Sequence, residues 1–263
     1  MSVRHTLLIL TILLLTAGLC ATASGQNGNG NGNGRGNSNS KSNRIPNMFR
    51  RHFDALGKRV KPNCKEKTIY SGELFDNRGG STNARVILQF PGMVKLEGFK
   101  DNGASLSFDG ERSHGVTSQE DEALLETFLI DFPEGMLASI QSGAAVRIMG
   151  RGFGPDPKLI PDYSGPRYDI YEVTGEIYCR QDQTKRTKRY YFDSKTGLLQ
   201  STRYVNRAVN PPSKIETRFS VWGNNDGSAY PARIDHYEAG QLKYTFIATE
   251  IRGEEPGDSA SFE

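Results

Sequence analysis

The second half of the chain is a succession of short segments patterned for β-structure and separated by turn residues, and that pattern leaves few folds open. YDIYEVTGEIYC, KRYYFD, LLQSTRYV, KIETRFSVWG, AYPARIDHYE and QLKYTFIATEIR follow one another between residues 168 and 252. They are rich in Tyr, Ile, Val, Phe and Thr, side chains that fit a pleated, half-buried surface. Turn chemistry separates them at 193–197, at Asn224-Asn225-Asp226-Gly227 and at Ala239-Gly240. Strands joined by such short connections pair as antiparallel hairpins.

The clump Asp193-Ser194-Lys195-Thr196-Gly197 carries a carboxylate and two hydroxyls and could be mistaken for a catalytic loop. Asp at its start and Gly at its end are the residues a tight hairpin needs, because Gly supplies positive φ and Asp or Thr bonds neighbouring backbone. A turn is expected.

Earlier segments extend the same sheet. Ile69, Ser71, Glu73 and Phe75 alternate with Tyr70, Gly72 and Leu74, and ARVILQFPGMVKLEGF and ASLSFDGERSHG continue an antiparallel meander through turns at Pro91-Gly92 and Asp101-Asn102-Gly103. Between the two strand series lies SQEDEALLETFLIDFPEGMLASIQSG. Ser118 is placed to cap a helix, Glu120, Asp121 and Glu122 fill its first turn, and Leu125, Phe128, Leu129 and Phe132 share a face. Pro133 ends it, and Met136, Leu137 and Ile140 form a second short helix. The stretch 150–166, rich in Gly and Pro, reads as an irregular connection.

At the N-terminus, Arg4 and His5 precede an apolar run to Leu15 and the small residues Ala21-Thr22-Ala23, the layout of an export signal over 1–23. Cys20 invites a lipid-anchor reading, but Leu19 before it is too bulky for such a cleavage site, so a periplasmic or secreted protein is expected. Residues 24–44, dominated by Gly, Asn and Ser, cannot bury enough surface to offset their ordering entropy and read as a disordered tether. The main domain then covers 45–252, and 253–263 reads as a flexible tail.

Residues 45–61 form a basic amphipathic helix, with Phe49, Phe53, Leu56 and Val60 on one face. Such a helix could touch an anionic membrane or an envelope protein. The favoured alternative is that its apolar stripe packs on its own domain.

The 33 basic and 30 acidic residues nearly cancel, which argues against nucleic acid as a partner. Outside the signal only Cys64 and Cys179 remain; in an exported protein they are a candidate disulfide, two separate buried thiols being the alternative. His52, His114 and His236 fall in no metal-ligand spacing, so neither metal nor other cofactor is expected. No G-x-S-x-G elbow is present, and the glycines at 150–154 lack the Lys-Ser/Thr of a phosphate loop. Carboxylate pairs such as Asp162 with Asp169, or Asp235 with Glu238, have nothing in their spacing to mark them as catalytic. A non-enzymatic, monomeric protein is expected.

The fold class expected is mainly β with some α: one strongly curved antiparallel sheet, an incomplete barrel, with a helical lid. Its concave face, if lined by apolar residues, would hold either an apolar ligand or a core. VILQFPGMVKLEGF followed by LSFDGERSHG, then YYFDSKTGLLQSTRY and RFSVWGNNDGSAYPARIDHYEAGQLKYTF, resembles the LolA-like superfamily over about 65–252. That resemblance implies a periplasmic half-barrel binding lipoprotein acyl chains or other lipids without catalysis. One departure is that Phe90 stands before Pro91, where the lipoprotein carrier has a basic residue that acts in cargo hand-off. A broader lipid-carrier role is therefore expected, with Phe90, Val94, Leu96 and Phe108 on the concave face and Phe128 and Leu129 from the lid. A tethered envelope-interaction module with a self-filled core is the alternative, and an unrecognised hydrolase ranks last.

Overall fold

Alternation along each strand sorts its side chains onto two faces of a single sheet. In the computed structural model the described residues are 47–57, 67–89, 92–132, 135–136, 139–140, 143–153, 165–176, 185–207, 210–225, 227–257 and 259–262. They belong to one compact unit, Ser42–Glu263. Expectations for the export signal, Cys20, the tether, the end of the basic helix, Cys64, Phe90, Asp162 and Cys179 lie outside the described residues.

The strands are β1 (Lys67–Asp76), β2 (Ser81–Gln89), β3 (Met93–Glu97), β4 (Leu106–Phe108), β5 (Ser113–His114), β6 (Ala145–Phe153), β7 (Arg167–Glu176), β8 (Lys185–Asp193), β9 (Leu199–Asn206), β10 (Ser213–Asn225), β11 (Ser228–Glu238) and β12 (Gln241–Glu254). They form a 12-stranded sheet in the order β5-β4-β3-β2-β1-β12-β11-β10-β9-β8-β7-β6. Every neighbouring pair is antiparallel. The two strand series read from sequence, β1–β5 and β7–β12, therefore join where the first strand meets the last, and β6 adds an edge strand to the second. β5 and β6 end on opposite edges and do not pair, so the sheet is open.

Helix α1 (Asn47–Leu56) precedes the sheet, and α2 (Gln119–Glu126) runs into a π-helical turn, Thr127–Asp131, within the β5–β6 connection. Because β5 and β6 lie on opposite edges, this connection has to cross the sheet. It does so over the inner face: the π-helical turn touches β3, and Asp131 within it is 2.7 Å from Lys188 on β8. Those strands are seven spacings apart in the order above, roughly 34 Å in a flat sheet. A turn about 8 Å long reaches both only if the sheet curls around it. The half-barrel with a helical cover is thus a consequence of topology.

Bulges help to bend the sheet. One lies in β12 at Thr249, opposite Ser71 and Gly72 of β1, and a Cβ at Gly72 would run into the Ile247 carbonyl oxygen. Another lies in β6 between Ile148 and Gly150, with φ +107° at Gly150. β6 runs through Phe153, so the expected irregular connection begins later than its glycines suggested. An edge strand needs few apolar residues and tolerates glycine at a bulge, and its sequence therefore looks loop-like.

The inner face carries the main core, which includes Phe49, Tyr70, Val86, Val94, Leu96, Phe108, Phe128, Phe132, Phe192, Phe219 and Phe246. A smaller cluster of Ile69, Ile87 and Phe262 covers the outer face, with Met93 against it. The last residues, read from sequence as a tail, contain the end of β12, a 3-10 turn (Ser259–Phe262) and the buried Phe262 ring. Among the described residues no helix is long and apolar enough to cross a membrane.

Candidate functional site

The helical cover is anchored first at its start. Ser118 accepts from the Asp121 amide at 3.1 Å, as its capping position foretold; the Asp121 carboxylate accepts from the Ser118 amide in return, which makes a capping box, and takes Lys100 at 3.0 Å from the β3–β4 connection. Beyond α2, Phe128 packs edge-on against Phe99 at 5.1 Å and Phe246 at 6.3 Å, and Phe132 against Tyr70 and Phe219.

Five of the six expected concave-face residues meet in this cluster: Val94, Leu96, Phe108, Phe128 and Leu129 are all buried, and Phe90 is outside the described residues. Register explains the grouping. Val94 opposes both Leu88 and Phe108, and Leu96 opposes Val86 and Leu106, so one inner face collects them. In this structure the side chains of the cover fill the space above them.

Further along, the same cover meets a different surface. Tyr190, Thr202, Thr217, His236 and Tyr244 stand directly opposite one another across β8, β9, β10, β11 and β12, a polar row on the inner face. Asp131 sits over it, accepting from Lys188 Nζ at 2.7 Å and from Thr217 Oγ at 2.8 Å. Glu126, one helical turn earlier, accepts from Arg186 Nη1 at 2.6 Å with both carboxylate oxygens and lies 3.2 Å from Lys188. Both carboxylates are 0% exposed. Arg186 and Lys188 also face the Tyr204 ring, at 4.8 and 4.2 Å.

Hydrogen-bond direction continues outward from there. Thr217 donates to Asp131 and so accepts from His236 Nδ1 at 3.3 Å, while His236 Nε2 faces Glu238 at 3.6 Å. The Glu238 carboxyl is held below its usual range by that histidine. Burial pushes the Tyr190 and Tyr204 phenols well above theirs. The Thr202 hydroxyl, in the middle of the row, is buried without a hydrogen-bond partner among the described residues.

A cavity of about 10 Å³, open on one side and large enough for about one water, adjoins the ion pairs between Ile130 and Ser139 of the cover and Val173, Arg186 and Lys188 of the sheet. Gly175 lets the cover approach there, since a Cβ would lie 2.7 Å from Ser139 Oγ.

Of these charged residues, Glu126, Asp131, Arg186 and Lys188 were not singled out from the sequence. Glu126 and Asp131 interrupt the apolar run LLETFLIDF, and Arg186, Lys188, Tyr190 and Phe192 are alternate residues of KRTKRYYFD. The usable signal was charge on a face whose other positions are aromatic.

Helix α1 closes the adjoining part of the face. Phe49, Phe53 and Leu56 are buried, so the described part of the apolar stripe packs on its own domain. His52 donates from Nδ1 to the Gly197 carbonyl at 2.8 Å, and its Nε2 is 3.3 Å from the Tyr171 hydroxyl. Arg51 donates to the carbonyls of Ser194 and Lys195 at 2.6 and 2.8 Å. Burial lowers the His52 pKa, opposed by the Gly197 hydrogen bond and Asp169 and reinforced by Arg51. The clump 193–197 is a turn, with Asp193 Oδ1 accepting from the amides of Lys195 and Thr196, Gly197 at φ +81°, and α1 docked on it.

The carboxylates weighed for acid/base work are dispersed. Asp169 pairs with Arg151 at 2.9 Å near the β6 edge. Asp235 binds Arg233 and Thr245, whereas Glu238 lies beside His236 on the other face of β11.

No protein-family model matches the chain. No curated protein matches it either. Solved structures do: a LolA superfamily protein from Nitrosomonas europaea, 10% identical over 81% of this chain and 96% of its own, TM-score 0.49; an outer membrane lipoprotein-sorting protein domain from Vibrio parahaemolyticus, 9% identical over 75% of this chain and 89% of its own, TM-score 0.46; and a DUF1329 family protein from Desulfovibrio piger, 11% identical over 81% of this chain and 95% of its own, TM-score 0.42.

Proposed function

We propose that the protein is an exported, monomeric, non-catalytic carrier that takes an acyl chain or similarly apolar ligand between the inner face of its sheet and the helical cover. The observation that supports this most is how the face is closed. Beside the part closed by α1, its apolar surface lies under one connection between opposite sheet edges, and that connection is held by a capped helix at its start and by ion pairs farther along. In this reading the described form is the closed one. Lifting the cover withdraws Phe128 and Leu129 and opens the face around Val94, Leu96 and Phe108. Burial of hydrocarbon there would contribute about 0.8 kcal/mol per methylene.

The sequence resemblance to LolA-like carriers supports the same reading. Its test is titration of delipidated protein with a fluorescent acyl probe, together with native mass spectrometry of gently purified protein. Saturable uptake and an extractable acyl species are expected; no uptake and a bare chain mass would overturn it. The alternative, an envelope-interaction module with a self-filled core, is favoured by the complete burial of Phe128 and Phe132 in the closed form. It requires a bare mass and a protein partner recovered from the envelope.

A further inference from the structure

We propose that the ligand ends in an oxyanion, and that Arg186 and Lys188 receive that group when the cover lifts, in the places Glu126 and Asp131 hold in the closed form. The inference rests on the carrier reading and specifies its ligand class. Ownership of the charges carries it: both cations belong to strand β8, whereas both carboxylates belong to the cover. Opening therefore separates buried charges of opposite sign. It leaves two cations on the inner face without the carboxylates that paired them, beside Tyr190, Tyr204 and Val173 and next to the polar row that runs from Thr202 to His236.

Removing one member of a buried ion pair is far more costly than exchanging it for another group of the same charge. A neutral hydrocarbon can replace Phe128, Leu129 and Ile130 but does nothing for Arg186 and Lys188. A chain with a terminal carboxylate or phosphate replaces both parts of the cover at once. The segment Glu126–Asp131 is itself such an arrangement, two carboxylates bracketing apolar side chains.

Two further observations point to the same place. The cavity between cover and sheet opens beside Arg186 and Lys188, whose side chains are 10% and 3% exposed. The buried Thr202 hydroxyl, directly opposite Tyr190 on the same face, has a donor to give to an added oxygen.

Calorimetric titration of the full chain below micellar concentrations, with dodecanoate, dodecyl phosphate, dodecanol and inorganic phosphate, tests this. Dodecanoate or dodecyl phosphate should bind about tenfold or more tighter than dodecanol, and the stronger of the two identifies the head group. Inorganic phosphate alone should bind at least about tenfold more weakly than either, because the chain supplies the driving force. Equal affinity for dodecanol and both anions overturns the oxyanion assignment and leaves the carrier standing. Binding of none of the amphiphiles overturns the carrier and the assignment with it, and phosphate binding as well as dodecyl phosphate overturns the need for a chain.

The paired variant Arg186→Gln with Glu126→Gln removes one charge from each side and leaves the protein neutral at that contact. It should reduce the preference for the anions over dodecanol several-fold, whatever it does to the cost of opening, which all three ligands share. An undiminished preference excludes Arg186 as the receiving group. The wild-type comparison of anion with alcohol decides the assignment without any variant.

Discussion

The inner face around β2–β4 and β12 and the inner face around β8–β11 are covered by one continuous segment, yet they hold it by different physics. On the first, Phe128 meets Phe99 and Phe246 with Val94, Leu96 and Phe108 in the same cluster. On the second, Asp131 and Glu126 meet Lys188, Arg186 and Thr217. Apolar contact is non-directional and tolerates exchange of one hydrocarbon for another. Loss of one member of a buried ion pair is offset only by a like-charged replacement or by removal of its partner's charge as well. The first half can thus adapt to an occupant, while the second fixes where the cover rests and what could displace it.

The largest effect should come from breaking the polar half. Asp131→Ala leaves Lys188 buried without its nearest carboxylate, and a loss of about 3–5 kcal/mol in urea unfolding is expected. The double change Asp131→Leu with Lys188→Met should recover most of that loss, because it removes both charges. Recovery of nothing would mean that Asp131 acts mainly through Thr217.

A smaller effect should follow in the apolar half. Val94→Ala removes two methyl groups from a fully packed site and should cost about 2 kcal/mol. A near-neutral outcome would show that the cover already moves enough there to fill the gap, which would sharpen the contrast between the halves.

His52 probes the border of the polar half. Its pKa is depressed by burial from 6.5, so the stability it contributes is present above about pH 6.5 and lost as pH falls through the lowered value. Unfolding measured between pH 7.5 and pH 5 should fall off more steeply in the wild type than in His52→Gln, which keeps a donor for the Gly197 carbonyl. Parallel curves would place the acid sensitivity elsewhere.

The smallest effect is expected at Arg51. Its two bonds to the 193–197 turn lie at the surface, so Arg51→Ala should shift stability by about 1 kcal/mol or less. A large loss would show that α1 depends on this contact more than on Phe49, Phe53 and Leu56.

Much of this architecture was legible in local pattern. Alternation predicted the strands, Ser118 with its acidic first turn predicted the start of α2, and the grouping of Val94, Leu96 and Phe108 followed from a period of two. The edge strand β6 was not read as a strand, and its residues from Gly150 were assigned to an irregular connection, because an edge tolerates glycine and arginine and so resembles a loop. Glu126 and Asp131 were missed for the opposite reason: acidic residues in a short helix are read as its wet side, and only their partners show that they are dry.

The sequence by itself determined the elements, their antiparallel pairing and which side chains are apolar, because strand alternation, capping and turn geometry depend on residues a few positions apart. Tertiary structure alone decided that β1 pairs with β12, that the β5–β6 connection crosses the inner face, and that Asp131 lies on Lys188. Those outcomes depend on residues 57 to 187 positions apart being brought together by a curled sheet. The buried charge of the fold is thus a property of the curled sheet and its cover, since no local pattern marks Glu126 or Arg186 as facing inward.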